Sequence, residues 1–329
     1  LTPPTGNHVA YRAFKGRRST PEEVADLYAG LKETRLDQFD MMLSGYCPSA
    51  TLVEEVGKIA REQKLRASTK PGSFFWALDP VMGDNGRIYV AEDTVPIYKK
   101  LLKDADLILP NQFEAELLSE IKIHDLESMR EAIGKLHEKG VPNVVVTSIR
   151  LPPTIASTPV PGEGGEGKSS QAKLSIIGST ATSNGTPRLF RITVPALPVF
   201  FSGTGDMFAA LLVARLKEAA KEHGVLDTLS WRSRDEVKGP ELPLARATEK
   251  VLASMSAVLK DTARHYESVS KELEQGEELD EGVGEEGQKE MEKERHLRLT
   301  RAAEVRVVRN VRALRVPPEL VDFEAVAVE

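Results

Sequence analysis

The sequence of 329 residues contains one cysteine, Cys47, so no disulfide can form within the chain. That usage fits a reducing, intracellular setting, cytoplasmic or nuclear. No run of apolar residues is long enough to span a bilayer, and no secretory signal pattern opens the chain. Positive charge is not in excess either. Lys and Arg total 44 against 50 Asp and Glu, a formal net charge of -6. No overall basic field favours nucleic acid, so neither nucleic acid nor membrane is expected as a partner. Aromatic residues make up only 5% of the chain, but hydrophobic residues make up 40% and charged residues 29%. Those proportions suit a soluble globular protein with a sizeable core.

Strand and helix signals alternate through the first two thirds. Thr20-Pro21-Glu22-Glu23 is a capping box with proline at the first helical position, followed by Val24, Leu27, Tyr28 and Leu31 at helical spacing. Phe39 to Tyr46 predicts a buried strand, and a helix is expected from about Ser49. A strand ending at Asp79, a helix over about Asp93 to Lys103, the strand "DLILP", two further helices closed by Gly140, and the strand "NVVVTSI" follow. Near-continuous apolar strands alternating with helices imply a doubly wound, mostly parallel α/β sheet with helices on both faces. Later come two strands ("KLSIIGST" and "RLFRITV"), a helix from Asp206, and a helix over about Pro243 to Leu273. The alternation of Leu297 and Leu299 with Arg298 and Thr300 predicts a late edge strand.

One domain is expected over 1–329, with two interruptions. Residues 152–170 are rich in Pro, Gly and Ser and predict a flexible insertion. Residues 275–294 are dominated by Glu, Gly and Lys and predict a solvated, poorly ordered acidic segment. The insertion contains a match to the G-x4-G-K-[ST] pattern, from Gly162 to Ser169. The match carries no phosphate site. A proline-rich stretch precedes it, a strand follows it, and two glutamates within it would repel phosphate.

In open parallel sheets, ligands bind at the carboxyl ends of strands. Four polar clusters fall there: Ser44-Gly45-Tyr46, Asp79 to Asp84, Asn111 to Glu114, and Thr147-Ser148. A fifth, Gly203-Thr204-Gly205-Asp206, opens an apolar helix. Free amides at a helix start attract anions, and glycines let backbone approach a phosphate. Asp206, one turn in, can accept a proton from an alcohol. Each cluster also has a plainer reading. Thr204 can cap its helix while Asp206 complements the dipole, and Asn111 with Glu114 has capping-box spacing. Asp79 and Asp84 suit a turn. Tyr46 either stacks on a flat ligand or packs with a wet tip. Cys47 is expected to be a small buried hydrophobe.

Together and in this order, "DPVMGDNGRIYVAED", "LPNQFEAELL" and "SGTGDMFAALL" resemble the signatures of the pyridoxal kinase family, within the ribokinase-like superfamily. The resemblance runs from about Asn7 to Leu259. It implies an ATP-dependent kinase that phosphorylates the 5′-hydroxymethyl group of B6 vitamers, working as a homodimer with Mg2+ and K+. It implies Asp206 as the catalytic base and Gly203, Thr204 and Gly205 as the anion hole. Asp79, Asn111, Glu114, Thr147, Ser148, Leu197 and Val199 match ATP-side positions. Asp84 and Glu114 match the metal side, while Tyr46 and Val9 match the vitamin side. Val9 stands where the family has a substrate-contacting threonine, and Leu109 replaces another threonine near the monovalent ion. The family's first strand and helix have no counterpart after Leu1, so the first strand is expected to be missing. Two other readings remain open. One is a kinase for another hydroxymethyl heterocycle or a sugar, and the other is a non-catalytic relic that binds nucleotide or a partner.

Overall fold

A computed structural model describes residues 11, 15–150, 173–197, 199, 201–277 and 285–328. Val9, the 152–170 insertion and its G-x4-G-K-[ST] match therefore lie outside the described residues. In chain order the first half comprises α1 (Pro21–Glu33), β1 (Met41–Ser44), α2 (Ala50–Arg66), β2 (Phe75–Leu78), β3 (Gly83–Asp84), β4 (Arg87–Ile88), α3 (Thr94–Leu101), β5 (Leu107–Ile108), α4 (Gln112–Ser119) and α5 (Leu126–Glu138). The second comprises β6 (Asn143–Ile149), β7 (Lys173–Ala181), β8 (Pro187–Pro195), α6 (Thr204–Glu222), α7 (Pro243–Glu277), α8 (Glu285–Ala302), α9 (Val311–Arg315) and β9 (Val326–Ala327).

The described strands build a seven-stranded sheet in the order β1-β2-β5-β6-β7-β8-β9, with β3 and β4 as a separate hairpin. Pairing is parallel from β1 to β6 and antiparallel from β6 to β9. The sheet is thus mixed, with helices on both faces. Side chains that alternate along a strand reach opposite faces. Trp76, Leu78, Val144 and Val146 join the core under α1 to α5, whereas Phe75, Ala77 and Val145 join the core under α6 and α7. This alternation explains why β2 and β6 are apolar at consecutive positions. Both of their faces are covered.

The helix starts follow local chemistry. Thr20, Ser49, Asn111 and Asp125 each cap a helix with a side-chain oxygen, and Thr20–Glu23 forms the reciprocal capping box its spacing predicts. Among the described residues, no helix is long and apolar enough to cross a membrane.

Three expectations are corrected. The strand expected to be buried around Phe39 to Tyr46 is an edge strand, paired only with β2 among the described strands, and Leu43 is exposed. Leu297 to Thr300 lie in α8, not in an edge strand. Met291, Arg295, Leu299 and Ala302 recur at helical spacing on the less exposed side of α8, which packs against α7. That four-residue spacing overrides the local two-residue alternation, and the late edge strand is instead β9, paired with β8. Finally, the acidic stretch 275–294 is largely helical where described, since α7 runs to Glu277 and α8 starts at Glu285. Its Glu and Lys residues are good helix formers, and α8 has α7 to pack on.

Candidate active site

The carboxyl ends of β2, β5 and β6 and the start of α6 surround a cavity of ≈ 750 Å³. It is lined by Tyr46, Asp79, Asp84, Asn111, Glu114, Thr147, Ser148, Leu197, Val199 and the whole stretch Gly203 to Asp206. Every described residue given a site role from the sequence therefore borders one space, whereas Ser44 and Gly45 of the first cluster do not line it.

Asp79 follows β2, which is hydrogen-bonded between β1 and β5, and its own amide donates to Ser44 O at 2.8 Å. Asp79 is 9% exposed, and its carboxyl accepts no hydrogen bond from a described residue. Burial pushes its pKa up to about 8, and the nearby charges of Glu114 and Asp206 act in the same direction. Asp84 sits at the solvent end. Its carboxylate takes the Asn85 amide at 2.7 Å and Asn85 Nδ2 at 2.9 Å. Asn85 (φ 49°) and Gly86 (φ 77°) both have positive φ, which lets the β3–β4 hairpin close in two residues.

Glu114 is 3% exposed and accepts from three backbone amides, Met82 at 2.8 Å, Gly83 at 3.3 Å and Asn111 at 2.9 Å. Burial raises its pKa to about 7 in spite of those three bonds. Asn111 returns the capping box by accepting from the Glu114 amide at 2.9 Å, and its Nδ2 donates to Gly83 O at 2.8 Å. The start of α4 is thereby tied to the Met82-Gly83 turn. Both the capping role and a place beside the cavity are real for these two residues.

Thr147 pairs with Asn111 in an isolated bridge, its amide donating to Pro110 O at 3.0 Å. Ser148 has a φ of 56°, at a bulge where the β6–β7 register shifts between Val146 and Ile149. Such bulges re-aim side chains at the ends of strands. Neither hydroxyl bonds to a described residue, which leaves both for a ligand. Tyr46 is 51% exposed at the cavity, and Cys47 beneath it is buried with its thiol pushed up to about 11 by burial. A buried thiol held protonated suits the small hydrophobe expected at this position.

The start of α6 differs from that of α4. Gly203 is the N-cap residue, at φ 85°, and no side chain caps the helix. Thr204 is the first helical residue rather than the cap. The preceding loop is anchored by the Ser202 amide, which donates to Ala303 O at 3.3 Å. A Cβ on Gly203 would sit 3.4 Å from Val305 Cγ2 in a backbone region that favours glycine, whereas a Cβ on Gly205 would meet nothing within 4 Å. No contact with a described residue requires glycine at 205. Asp206, one turn in, is exposed to the cavity and forms no hydrogen bond with a described residue.

Sequence reasoning missed several lining residues. Tyr89 and Arg150 follow β4 and β6, while Leu252, Met255, Leu259, Lys260 and Phe323 bring α7 and the C-terminal segment to the far wall. "RIYV" and "SIR", which directly follow quoted clusters, offered a signal for the first two. Phe323 had none, because its approach depends on the C-terminal segment crossing α7.

Comparison with known proteins places this geometry in context. A family model described as phosphomethylpyrimidine kinase matches residues 62–227. A pyridoxal kinase from Arabidopsis thaliana is 32% identical over 262 residues, covering 79% of this chain and 71% of that one. The structure of a Leishmania donovani pyridoxal kinase with ADP superposes with a TM-score of 0.68 at 25% identity, over 98% of this chain and 87% of the other. The same enzyme with ADP and pyridoxamine gives a TM-score of 0.66 at 26% identity, over 98% and 87%.

Proposed function

The chain belongs to the pyridoxal kinase family, and from that premise we propose that it transfers the γ-phosphoryl group of ATP to the 5′-hydroxymethyl group of pyridoxal and related vitamers. The observation that carries this reading is the uncapped, glycine-bent start of α6 with Asp206 one turn behind it, open to the same cavity as Asp79.

Phosphoryl transfer depends on positioning and charge stabilisation more than on covalent help from the protein. The α6 amides around Gly203, Thr204 and Gly205 receive charge on the migrating group's oxygens, and the Thr204 hydroxyl adds a donor. Asp206 takes the proton from the 5′-hydroxyl as its oxygen forms the new bond to phosphorus. The bond between that phosphorus and the bridging oxygen breaks, and ADP leaves. Asn111, Thr147 and Ser148 hold the nucleotide's phosphates, while Leu197 and Val199 line its apolar side. Tyr46 packs on the pyridine ring.

A bound cation fits this donor set. Asp79 is a buried carboxyl with neither a hydrogen bond nor a basic partner among the described residues, and its pKa is pushed up to about 8. Magnesium typically takes one or two carboxylates and leaves its other positions to water and phosphate. Asp79 would hold it, with Glu114 steadying bound water through its remaining lone pairs and Asp84 at the solvent side. When bound, magnesium would supply charge neutralisation for the phosphates. Potassium belongs to the same reading and is checked by exchange for tetramethylammonium. We also assign one domain to 1–329, a homodimer and a cytoplasmic setting. Light scattering and fractionation check the last two.

The direct test measures ATP-dependent formation of pyridoxal phosphate, beside hydroxymethylpyrimidine and ribose as alternative acceptors. Pyridoxal is expected to give the highest kcat/KM. A higher value for either alternative overturns the substrate assignment.

A further inference from the structure

The cavity is rich in acidic side chains. Asp79, Asp84, Glu114 and Asp206 all line it. Its cationic lining residues are Arg150 and Lys260. Lys260 is already engaged, with Nζ 3.1 Å from Glu319. Arg150 is not. It is exposed at the cavity, and its guanidinium makes no hydrogen bond or ion pair with a described residue.

The backbone beneath Arg150 is held firmly. The Arg150 amide donates to Gln112 Oε1 at 3.2 Å, and Gln112 Nε2 donates to Ile123 O at 3.0 Å. The Gln112 amide group thus straps the end of β6 to the first turn of α4. The bulge at Ser148 lies two residues earlier, where the β6–β7 register shifts before pairing resumes at Ile149. A tethered backbone carrying an unpaired guanidinium, beside two free hydroxyls on Thr147 and Ser148, is arranged for a polyanion rather than for packing. Arginine's planar fork suits phosphate oxygens and keeps its charge at every relevant pH.

We propose that Arg150 binds the phosphate chain of the nucleotide, with Gln112 as its positioning residue. This rests on the kinase reading for the identity of the nucleotide, but not for the presence of a phosphate-binding cation. Beside these acidic side chains, a polyphosphate needs compensating positive charge from the protein as well as from any metal, and among the described lining residues Arg150 is the unpaired source.

Calorimetric titration of the full chain with MgATP, MgADP and adenosine tests the proposal. Arg150→Ala is expected to weaken MgATP and MgADP binding about 10- to 100-fold while leaving adenosine affinity unchanged, because adenosine carries no phosphate. Arg150→Lys, which keeps the charge but loses the fork, should lose less than Arg150→Ala. Gln112→Leu should weaken MgADP binding by a smaller factor, also without affecting adenosine. Unchanged MgATP and MgADP affinity in Arg150→Ala overturns the proposal, as does an equal loss for all three ligands. If the unsubstituted chain phosphorylates no vitamer yet Arg150→Ala still loses phosphate-dependent affinity, the substrate assignment fails and this inference stands.

Discussion

Two helices, α4 and α6, begin at the same cavity and are built in opposite ways. At α4, Asn111 and Glu114 cap each other, and the Glu114 carboxylate also gathers the Met82 and Gly83 amides. At α6, Gly203 occupies the cap position in a left-handed conformation, and no side chain reaches the first amides. A helix start without a partner for its amides costs stability unless water or a ligand supplies one. The first helix start is therefore part of the scaffold, and the second is left open for a ligand. Their charges differ in the same sense. Glu114 is buried and fixed, whereas Asp206 is exposed and has no described partner.

The contrast can be broken most sharply at Asp206. Asp206→Asn keeps the shape and removes the base, so kcat is expected to fall about 10²- to 10⁴-fold. Nucleotide affinity and melting temperature should stay close to those of the unsubstituted chain, which steady-state kinetics with calorimetry would check. Glu114→Ala acts through the scaffold. It strands three backbone amides and should cost about 2–4 kcal/mol in urea unfolding. A merely catalytic defect there, with stability intact, would erase the distinction between the two helix starts.

Gly205→Ala sharpens the comparison from the other side. Glycine inside a helix costs about 0.5–1 kcal/mol relative to alanine. With no described atom in the way, the substitution should stabilise the fold by about that amount while lowering kcat/KM. Thermal melts and initial rates on one preparation suffice. A gain in stability with unchanged activity would show that no ligand approaches the bend.

The remaining effect concerns pH. Asp79 has its pKa raised to about 8 in the fold, against about 3.9 in an unfolded chain. The fold therefore favours its protonated form. That contribution is full below about pH 4 and declines as pH rises toward 8. Glu114, raised to about 7, adds a decline in the same direction. Ligand-free protein should melt at progressively lower temperature between pH 5 and 8, and Asp79→Asn should flatten much of that slope. A steeper slope in Asp79→Asn would contradict the assignment.

Legibility in the sequence divides along similar lines. The β–α rhythm through β6 was readable because short-range periodicity and capping residues decide those elements, as at Thr20 and Asn111. The strand-end clusters were readable too, since Asp79, Thr147 and Asp206 mark the places where chain leaves a strand or enters a helix. Long-range arrangement was not readable. The antiparallel arm β7-β8-β9 depends on which edge receives each strand, and β9 comes from the chain's last residues. A two-residue alternation at Leu297 to Thr300 was outweighed by packing on α7. The Asn85-Gly86 hairpin was missed, although that dipeptide favours positive φ at both positions. Whether an acid serves the scaffold or the ligand, the difference between Glu114 and Asp206, appears only when hydrogen-bond partners are known.

The most direct measurement follows the backbone amides of both helix starts by ¹⁵N NMR during titration with Mg2+ and a non-hydrolysable ATP analogue. The account predicts large shift changes at Thr204, Gly205 and Asp206, with the Glu114 amide nearly unmoved because Asn111 already holds it. Saturable binding that leaves residues 204–206 unperturbed would contradict it.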